Sequence, residues 1–281
     1  MVAKIIDGKK MAEDIRRDLK KKIFDEKLSL KMAVVLVGNN EASEIYVRNK
    51  VKAASEVGIE CEVLRREEKV SEAEVLKLVE KLNDDDSVDG ILVQLPLPRH
   101  IDALKVVSKV SFRKDIDGFS PYNAGLLQFR SEEGIVAATP KGVLAMIKSV
   151  CKNLKGKHAV VIGRSNIVGR PLSTLLLNND CTVSIAHSKT KNLKDLTVEA
   201  DIVVAACGRA KMIKKDWIKK GAIVVDVGIN KFKGKICGDV DFDEVKEVAS
   251  YISPVPCGVG PMTIAMLLDN VYLARKQAKR K

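Results

Sequence analysis

No apolar run in this chain comes near the roughly 18 residues that a helical membrane span needs. Histidine is scarce: His100, His158 and His187 show no His-x-x-x-His spacing and no neighbouring carboxylate cluster. The six cysteines, at 61, 151, 181, 207, 237 and 257, stand at least 20 residues apart, so no Cys-x-x-Cys pair exists. Neither a zinc site nor dithiol chemistry is expected, and most of the thiols are expected to be small buried core residues. The first ten residues mix acid and base and lack the continuous apolar stretch of a signal peptide, which gives a cytoplasmic reading.

What is present is a chain of 281 residues, 46% hydrophobic and 31% charged, enough for one large domain or two ordinary ones. The net charge of +12 is local. Residues 1–139 hold 24 Lys and Arg against 25 acids, whereas 140–281 hold 25 against 12. Part of the excess is the tail Arg275-Lys276 and Lys279-Arg-Lys281, and the rest surrounds a glycine-rich turn. A phosphate-bearing small ligand therefore competes with nucleic acid as its explanation.

Strand-length apolar runs alternate with amphipathic segments. The runs are Met32-Ala-Val-Val-Leu-Val37, Gly90-Ile-Leu-Val93, Ala159-Val-Val-Ile162, Thr182-Val-Ser-Ile185, Ile202-Val-Val-Ala205 and Ala222-Ile-Val-Val-Asp226. Helices are expected over 42–57, ended by Gly58, over 71–82, and over 261–279. This alternation predicts an α/β fold with parallel sheets covered by helices. Thr139-Pro140 reads as an N-cap followed by a first helical residue, and marks a domain boundary.

In the second half, Ala159-Val-Val-Ile-Gly163-Arg-Ser-Asn-Ile-Val-Gly169 reads as strand, glycine turn and helix start, the order that holds dinucleotide pyrophosphates. It departs from G-x-G-x-x-G, so an ordinary αβ turn is the competing reading. The next strand ends in Ala186-His-Ser-Lys-Thr190 without the acid that takes a ribose 2′-hydroxyl. Arg164, Ser188 and Lys189 instead form a set of donors suited to the 2′-phosphate of NADP, unless Arg164 and Lys189 are simply surface charges.

In the first half, Tyr46 and Lys50 lie four apart and share a helix face, a spacing most often met as surface decoration. Val93-Gln-Leu-Pro-Leu-Pro98 puts an amide at the carboxyl end of a strand, where parallel sheets bind ligands. Lys114-Asp-Ile-Asp-Gly118 supplies Asp117 beside a glycine, either as a ligand or as the pivot of an Asx-turn.

Taken in order, these residues resemble the bifunctional methylenetetrahydrofolate dehydrogenase/cyclohydrolases, the FolD family. The resemblance runs through Ile5-Ile-Asp-Gly-Lys9, Tyr46-x-x-x-Lys50, Asp89-Gly-Ile-Leu-Val-Gln-Leu-Pro-Leu-Pro98, Lys114-Asp-Ile-Asp-Gly118, Thr139-Pro140, Gly163-Arg-Ser-x-x-Val-Gly-x-Pro171, His187-Ser-Lys-Thr190 and Pro254-Val-Pro-x-Gly-Val-Gly-Pro-Met-Thr263. It implies two α/β domains around a cleft: a folate-binding catalytic domain over 1–138, and an NADP-binding, Rossmann-like doubly wound parallel sheet over 139–260. The final helix, 261–281, would return to the first domain. It also implies a homodimer with no nucleic-acid or membrane partner, working in one-carbon metabolism and purine biosynthesis. The activity implied is NADP-dependent oxidation of 5,10-methylenetetrahydrofolate, then hydrolysis to 10-formyltetrahydrofolate.

By the same resemblance Lys50 is the catalytic lysine, Gln94 its partner, Tyr46 the ring that stacks on the folate and Asp117 the pterin anchor, with Leu95 and Pro261 beside the substrate. Thr139, Gly163, Arg164, Ser165, Val168, Gly169, Ser188 and Ile229 would border the cofactor, and no metal is implied. Two residues depart from the family pattern: Ala138 stands where Cys is usual, and Cys257 where Gly is usual. The latter implies ordinary backbone angles at position 257. A dehydrogenase lacking the hydrolytic step, and a basic nucleic-acid-binding α/β protein, remain as alternatives at this point.

Overall fold

The computed structural model describes residues 2–278. The basic residues Lys279, Arg280 and Lys281, and the last position of the helix expected over 261–279, lie outside the described residues. In chain order the first half comprises β1 (Lys4–Ile5), α1 (Gly8–Asp25), β2 (Leu30–Val37), α2 (Glu41–Val57), β3 (Ile59–Arg66), α3 (Glu72–Asp84), β4 (Gly90–Val93), α4 (Ala103–Lys109) and α5 (Pro121–Gln128). The second half comprises α6 (Ala138–Val150), β5 (His158–Ile162), α7 (Gly169–Leu177), β6 (Thr182–Ala186), α8 (Leu193–Thr197), β7 (Ile202–Ala205), β8 (Ile223–Asp226), β9 (Asn230–Phe232), β10 (Lys235–Cys237), α9 (Phe242–Val245), β11 (Tyr251–Ile252) and α10 (Val259–Ala278).

These elements form two compact units. Asp14–Ala138 and the chain from Ile264 onward make a three-strand unit; the chain up to Glu13 and Thr139–Thr263 make a six-strand unit. The sequence reading assigns residues 1–138 to one domain. In the structure the first 13 residues instead belong with the second, because Lys4 and Ile5 pair in parallel with Tyr251 and Ile252. Two residues of strand are too few for periodicity to reveal.

The three-strand unit is a parallel sheet in the order β3-β2-β4. Its strands β2 and β4 are buried almost throughout, as their unbroken apolar runs require. Val75, Val79 and Leu82 of α3 and Val106 of α4 pack on one side of it with Ala33, Val35 and Ile91. Helix α2 is capped at both ends, of which the Gly58 end was read from the sequence. Asn40 caps it by accepting from Ser43 N, and Gly58 ends it at φ 85°, a left-handed conformation in which glycine is unstrained.

The six-strand unit is a fully parallel sheet in the order β1-β11-β8-β7-β5-β6, with β9 and β10 forming a separate antiparallel hairpin. Strands β5 and β7 are neighbours, yet the chain leaves β5 for β6 on one side and β7 for β8 on the other. The loops after β5 and β7 thus diverge at a topological switch point, where open parallel sheets bind ligands. Helix α6 begins at Ala138, so Thr139 and Pro140 lie inside its first turn and Thr139 is not its cap. Proline is tolerated there because the first-turn N–H groups have no helical partner. The Thr139 hydroxyl instead bonds Thr263 Oγ1 at 2.9 Å.

Candidate active site

In the three-strand unit, α2 carries Tyr46 and Lys50 on one face, Tyr46 exposed and Lys50 buried at 8% accessibility. Lys50 Nζ donates to Gln94 Oε1 at 3.0 Å. Gln94 follows β4 directly; its backbone N–H donates to Val35 O at 2.9 Å and its Nε2 to Leu95 O at 2.7 Å. Both ends of this half-buried amide are therefore committed, which turns the carbonyl oxygen toward the lysine. Burial pushes the Lys50 ammonium below the ordinary lysine value, opposed by the nearby charge of Asp117.

Asp117 lies in the loop after α4, beside a hollow it lines with Ile91, Val93, Val107 and Phe119. Desolvation pushes its carboxyl up to about 6, with the Lys50 charge acting in the opposite direction. The Asx-turn weighed for Asp117 belongs to its neighbour. Asp115, 2% accessible, accepts from the N–H groups of Gly118, Phe119 and Ser120 and from Asn123 Nδ2. Gly118 has φ 69°, and a Cβ there would collide with the backbone of Val136 and Ala137.

In the six-strand unit, the turn after β5 has the close approaches its glycines suggest. A Cβ on Gly163 would overlap Ala206 O, and one on Gly169 would overlap Gly163 O. Ser165 Oγ accepts from Val168 N at 3.2 Å, Arg170 N donates to Ser165 O at 3.1 Å, and Arg164 is exposed. Ser188 and Lys189 are exposed just beyond β6, where Thr190 Oγ1 accepts from His187 N at 2.9 Å. Ile229 is 55% accessible. Val168, Pro261 and Thr139 are half-buried.

Two expectations about cysteine fail. Only Cys181 is buried; Cys61, Cys151, Cys207 and Cys237 are half-buried and Cys257 is exposed. Cys257 has φ 80°, the left-handed region, so its backbone is not ordinary: it keeps the glycine-type conformation with a side chain attached. Among the described residues no group of three His, Cys, Asp or Glu is placed to hold a metal ion, and no helix is long and apolar enough to cross a membrane.

Residues 6–117 match the tetrahydrofolate dehydrogenase/cyclohydrolase catalytic domain, and 137–279 match the NAD(P)-binding domain of the same family. The chain belongs to the tetrahydrofolate dehydrogenase/cyclohydrolase family. It is 51% identical over 280 residues to the bifunctional protein FolD of Listeria innocua, covering 98% of each chain. Among solved structures it resembles the FolD methylenetetrahydrofolate dehydrogenase/cyclohydrolase of Campylobacter jejuni (47% identity, TM-score 0.95, covering 99% of this chain and 100% of the other). It also resembles the Trypanosoma brucei enzyme complexed with NADP and an inhibitor (35% identity, TM-score 0.94, covering 100% of each).

In this family member, sequence reasoning missed the groups that hold the site loops. Asn123 Nδ2 donates to Phe112 O and its Oδ1 accepts from Ile135 N. Asn270, on α10, donates to Ile116 O and Val136 O, both at 2.9 Å. In the six-strand unit the buried Asp226 and Asp239 each accept several N–H groups. The only signal for them was the pairing of aspartate with nearby glycine in Asp226-Val-Gly228 and Gly238-Asp239.

Proposed function

We propose that this enzyme oxidises 5,10-methylenetetrahydrofolate with NADP+ and hydrolyses the methenyl product to 10-formyltetrahydrofolate, using Lys50, Gln94, Tyr46 and Asp117 on the folate. The carrying observation is the buried Lys50 amine held 3.0 Å from Gln94 Oε1, with Asp117 within its electrostatic reach. The glycine turn fits a dinucleotide, because the positions where a Cβ would collide are those where the chain folds tightly back on itself, leaving Arg164 and Ser165 at the surface. Arg164, Ser165 and Ser188 would hold the phosphates, and Thr139, Val168, Gly169 and Ile229 would border the cofactor. When bound, NADP+ supplies the hydride acceptor.

A methylene between two nitrogens loses hydride readily because the lone pairs stabilise the cation, so that step asks the protein mainly for alignment. Tyr46, exposed on α2, offers a ring to stack on the pterin, and the acceptor-only carboxylate of Asp117 suits adjacent N–H donors on the pterin edge. Leu95 and Pro261 complete the proposed substrate contacts.

Hydrolysis requires that water add to the methenyl carbon and lose a proton, and that a ring nitrogen gain one as its bond to carbon breaks. Lys50 can serve both transfers: burial lowers its affinity for a proton, and Gln94 fixes where the nitrogen points. The proposal includes the homodimer, cytoplasmic location and link to purine synthesis implied by the resemblance; sedimentation checks the dimer. The deciding test mixes the protein with 5,10-methylenetetrahydrofolate and NADP+. NADPH together with 10-formyltetrahydrofolate supports the reading, NADPH with only the methenyl compound leaves a dehydrogenase alone, and no NADPH refutes it.

A further inference from the structure

Asp226 ends β8 and Asp239 follows β10, and the two segments lock face to face. A Cβ on Gly228 would collide with the Asp239 carboxyl, and a Cβ on Gly238 with the Asp226 carboxyl, so each aspartate lies against the glycine of the other's segment. Both are buried, at 3% and 0% accessibility. Asp226 Oδ1 accepts from Gly228 N and Asp239 N, both at 3.0 Å, and Oδ2 from Val240 N at 2.9 Å. Asp239 reaches outward. Its Oδ2 accepts from Cys207 N at 2.7 Å and Gly208 N at 3.0 Å, and its Oδ1 from Arg209 N and Asn230 Nδ2, both at 2.8 Å.

Those four donors belong to the loop after β7 and to Asn230, which opens β9, at the carboxyl edge of the sheet. Residues 207–209 follow β7, one of the two strands at the switch point, and Asn230 follows β8 next to Ile229. The turn after β5 rests on the same structure, because Gly163 packs against Ala206 O, one residue before Cys207. A single carboxylate thus ties together the loops that bound the switch-point crevice. Among the described residues no cation pairs with it; its charge is balanced by aligned N–H dipoles, which are directional and hold the backbone in one arrangement.

We propose that Asp239, buttressed by Asp226, is a positioning residue of the nucleotide site, holding the loops after β7 and β8 in the arrangement that accepts the dinucleotide. This rests on the reading that the six-strand unit binds NADP+. Asp239→Asn puts an amide NH2 where only acceptors are tolerated, so two of the four N–H groups lose their partner and face a donor. The NADP+ KM and Kd should rise by about tenfold or more, the equivalent of about 1.4 kcal/mol. The dehydrogenase kcat at saturating NADP+ should stay within about threefold of wild type, and cofactor-free hydrolysis of methenyltetrahydrofolate should be retained, since neither uses these loops for its chemistry.

Asn230→Ala removes one donor and leaves Asp239 with three, so it should fold and raise the NADP+ KM by a smaller factor, about threefold. Unchanged NADP+ affinity in either folded variant overturns the proposal, as does parallel loss of hydrolysis and cofactor affinity, which would mark a merely structural role. Titration of wild type with NADP+ separates this from the parent reading. If wild type binds and Asp239→Asn binds equally well, only the positioning role fails; if wild type does not bind, the nucleotide site itself is misplaced.

Discussion

Lys50 Nζ and Gln94 Oε1 meet at 3.0 Å although 44 positions separate them, one on the buried face of α2 and the other one residue beyond β4. The contact gives the amine a single fixed acceptor in a buried setting and leaves its remaining hydrogens for the substrate. Position is supplied by the amide, and proton affinity is set by burial.

Replacing Lys50 by Met preserves most of the stem and removes the proton-transfer group. General acid–base catalysis contributes about a hundred- to ten-thousandfold, so methenyltetrahydrofolate hydrolysis should fall within that range. Dehydrogenation depends on alignment and should persist at a measurable rate, with the methenyl compound accumulating in the coupled assay. Loss of NADPH formation in a folded variant that still binds NADP+ would show that Lys50 orients the folate for both steps.

Asp117 gives a pH dependence whose sign is fixed by its surroundings. Its carboxyl titrates near 6 rather than near 3.8, so the folded protein holds that proton more tightly than the unfolded chain does. Stability should therefore fall as pH rises from about 4 to about 6 and then level off, by at most about 3 kcal/mol. Asp117→Asn should remove that slope in urea titrations. The folate KM should rise as pH falls through about 6, because the protonated form loses acceptor capacity. In Lys50→Met the midpoint should move higher, since the lysine charge lowers the carboxyl's proton affinity; an unmoved midpoint would disconnect the two residues.

Strands β2, β4, β5, β6, β7 and β8 were legible because each is a short apolar run bounded by turn residues, and α2 because its amphipathic pattern stops at Gly58; β3, Ile-Glu-Cys-Glu-Val-Leu-Arg-Arg, mixes charges into its run and was not read as a strand. Gly163 and Gly169 were legible as a tight strand-to-helix turn because only glycine permits the backbone contacts they make. The supports were hidden. Asn270 bonds Ile116 O across 154 positions, and no local pattern encodes such a pairing. Asp115 and Asp117 look alike in sequence and both border the hollow, and only the fold shows that Asp115 is the one whose carboxylate closes the loop by accepting from Gly118, Phe119, Ser120 and Asn123. The left-handed backbone at Cys257 was misread because the residue type suggested ordinary angles.

Arg164 is exposed in the turn after β5, and no carboxylate follows β6 at Ser188-Lys189. Charged hydrogen bonds to phosphate contribute about 1.5–3 kcal/mol, so Arg164→Ala should raise the NADP+ KM by about tenfold or more. The KM for NAD+, which lacks the 2′-phosphate, should change little. Equal losses for both cofactors would show that Arg164 does not read that phosphate.

Cys257 holds φ 80° with its carbonyl accepting from Lys9 N at 3.0 Å, so the loop cannot relax without giving up that bond. A side chain in the left-handed region costs about 1–2 kcal/mol, and glycine's added flexibility in the unfolded chain takes back about 0.5–1. Cys257→Gly should therefore keep activity and stabilise the protein by up to about 1 kcal/mol, raising Tm by about 2–4 °C. Cys257→Ala removes the thiol but keeps the β-carbon, and should leave Tm close to wild type. Cys257→Val adds β-branching to the same backbone and should lower it. The order Gly above Ala above Val is the signature of backbone strain; if Gly and Ala raised Tm equally, the thiol rather than the backbone would be the source of the strain.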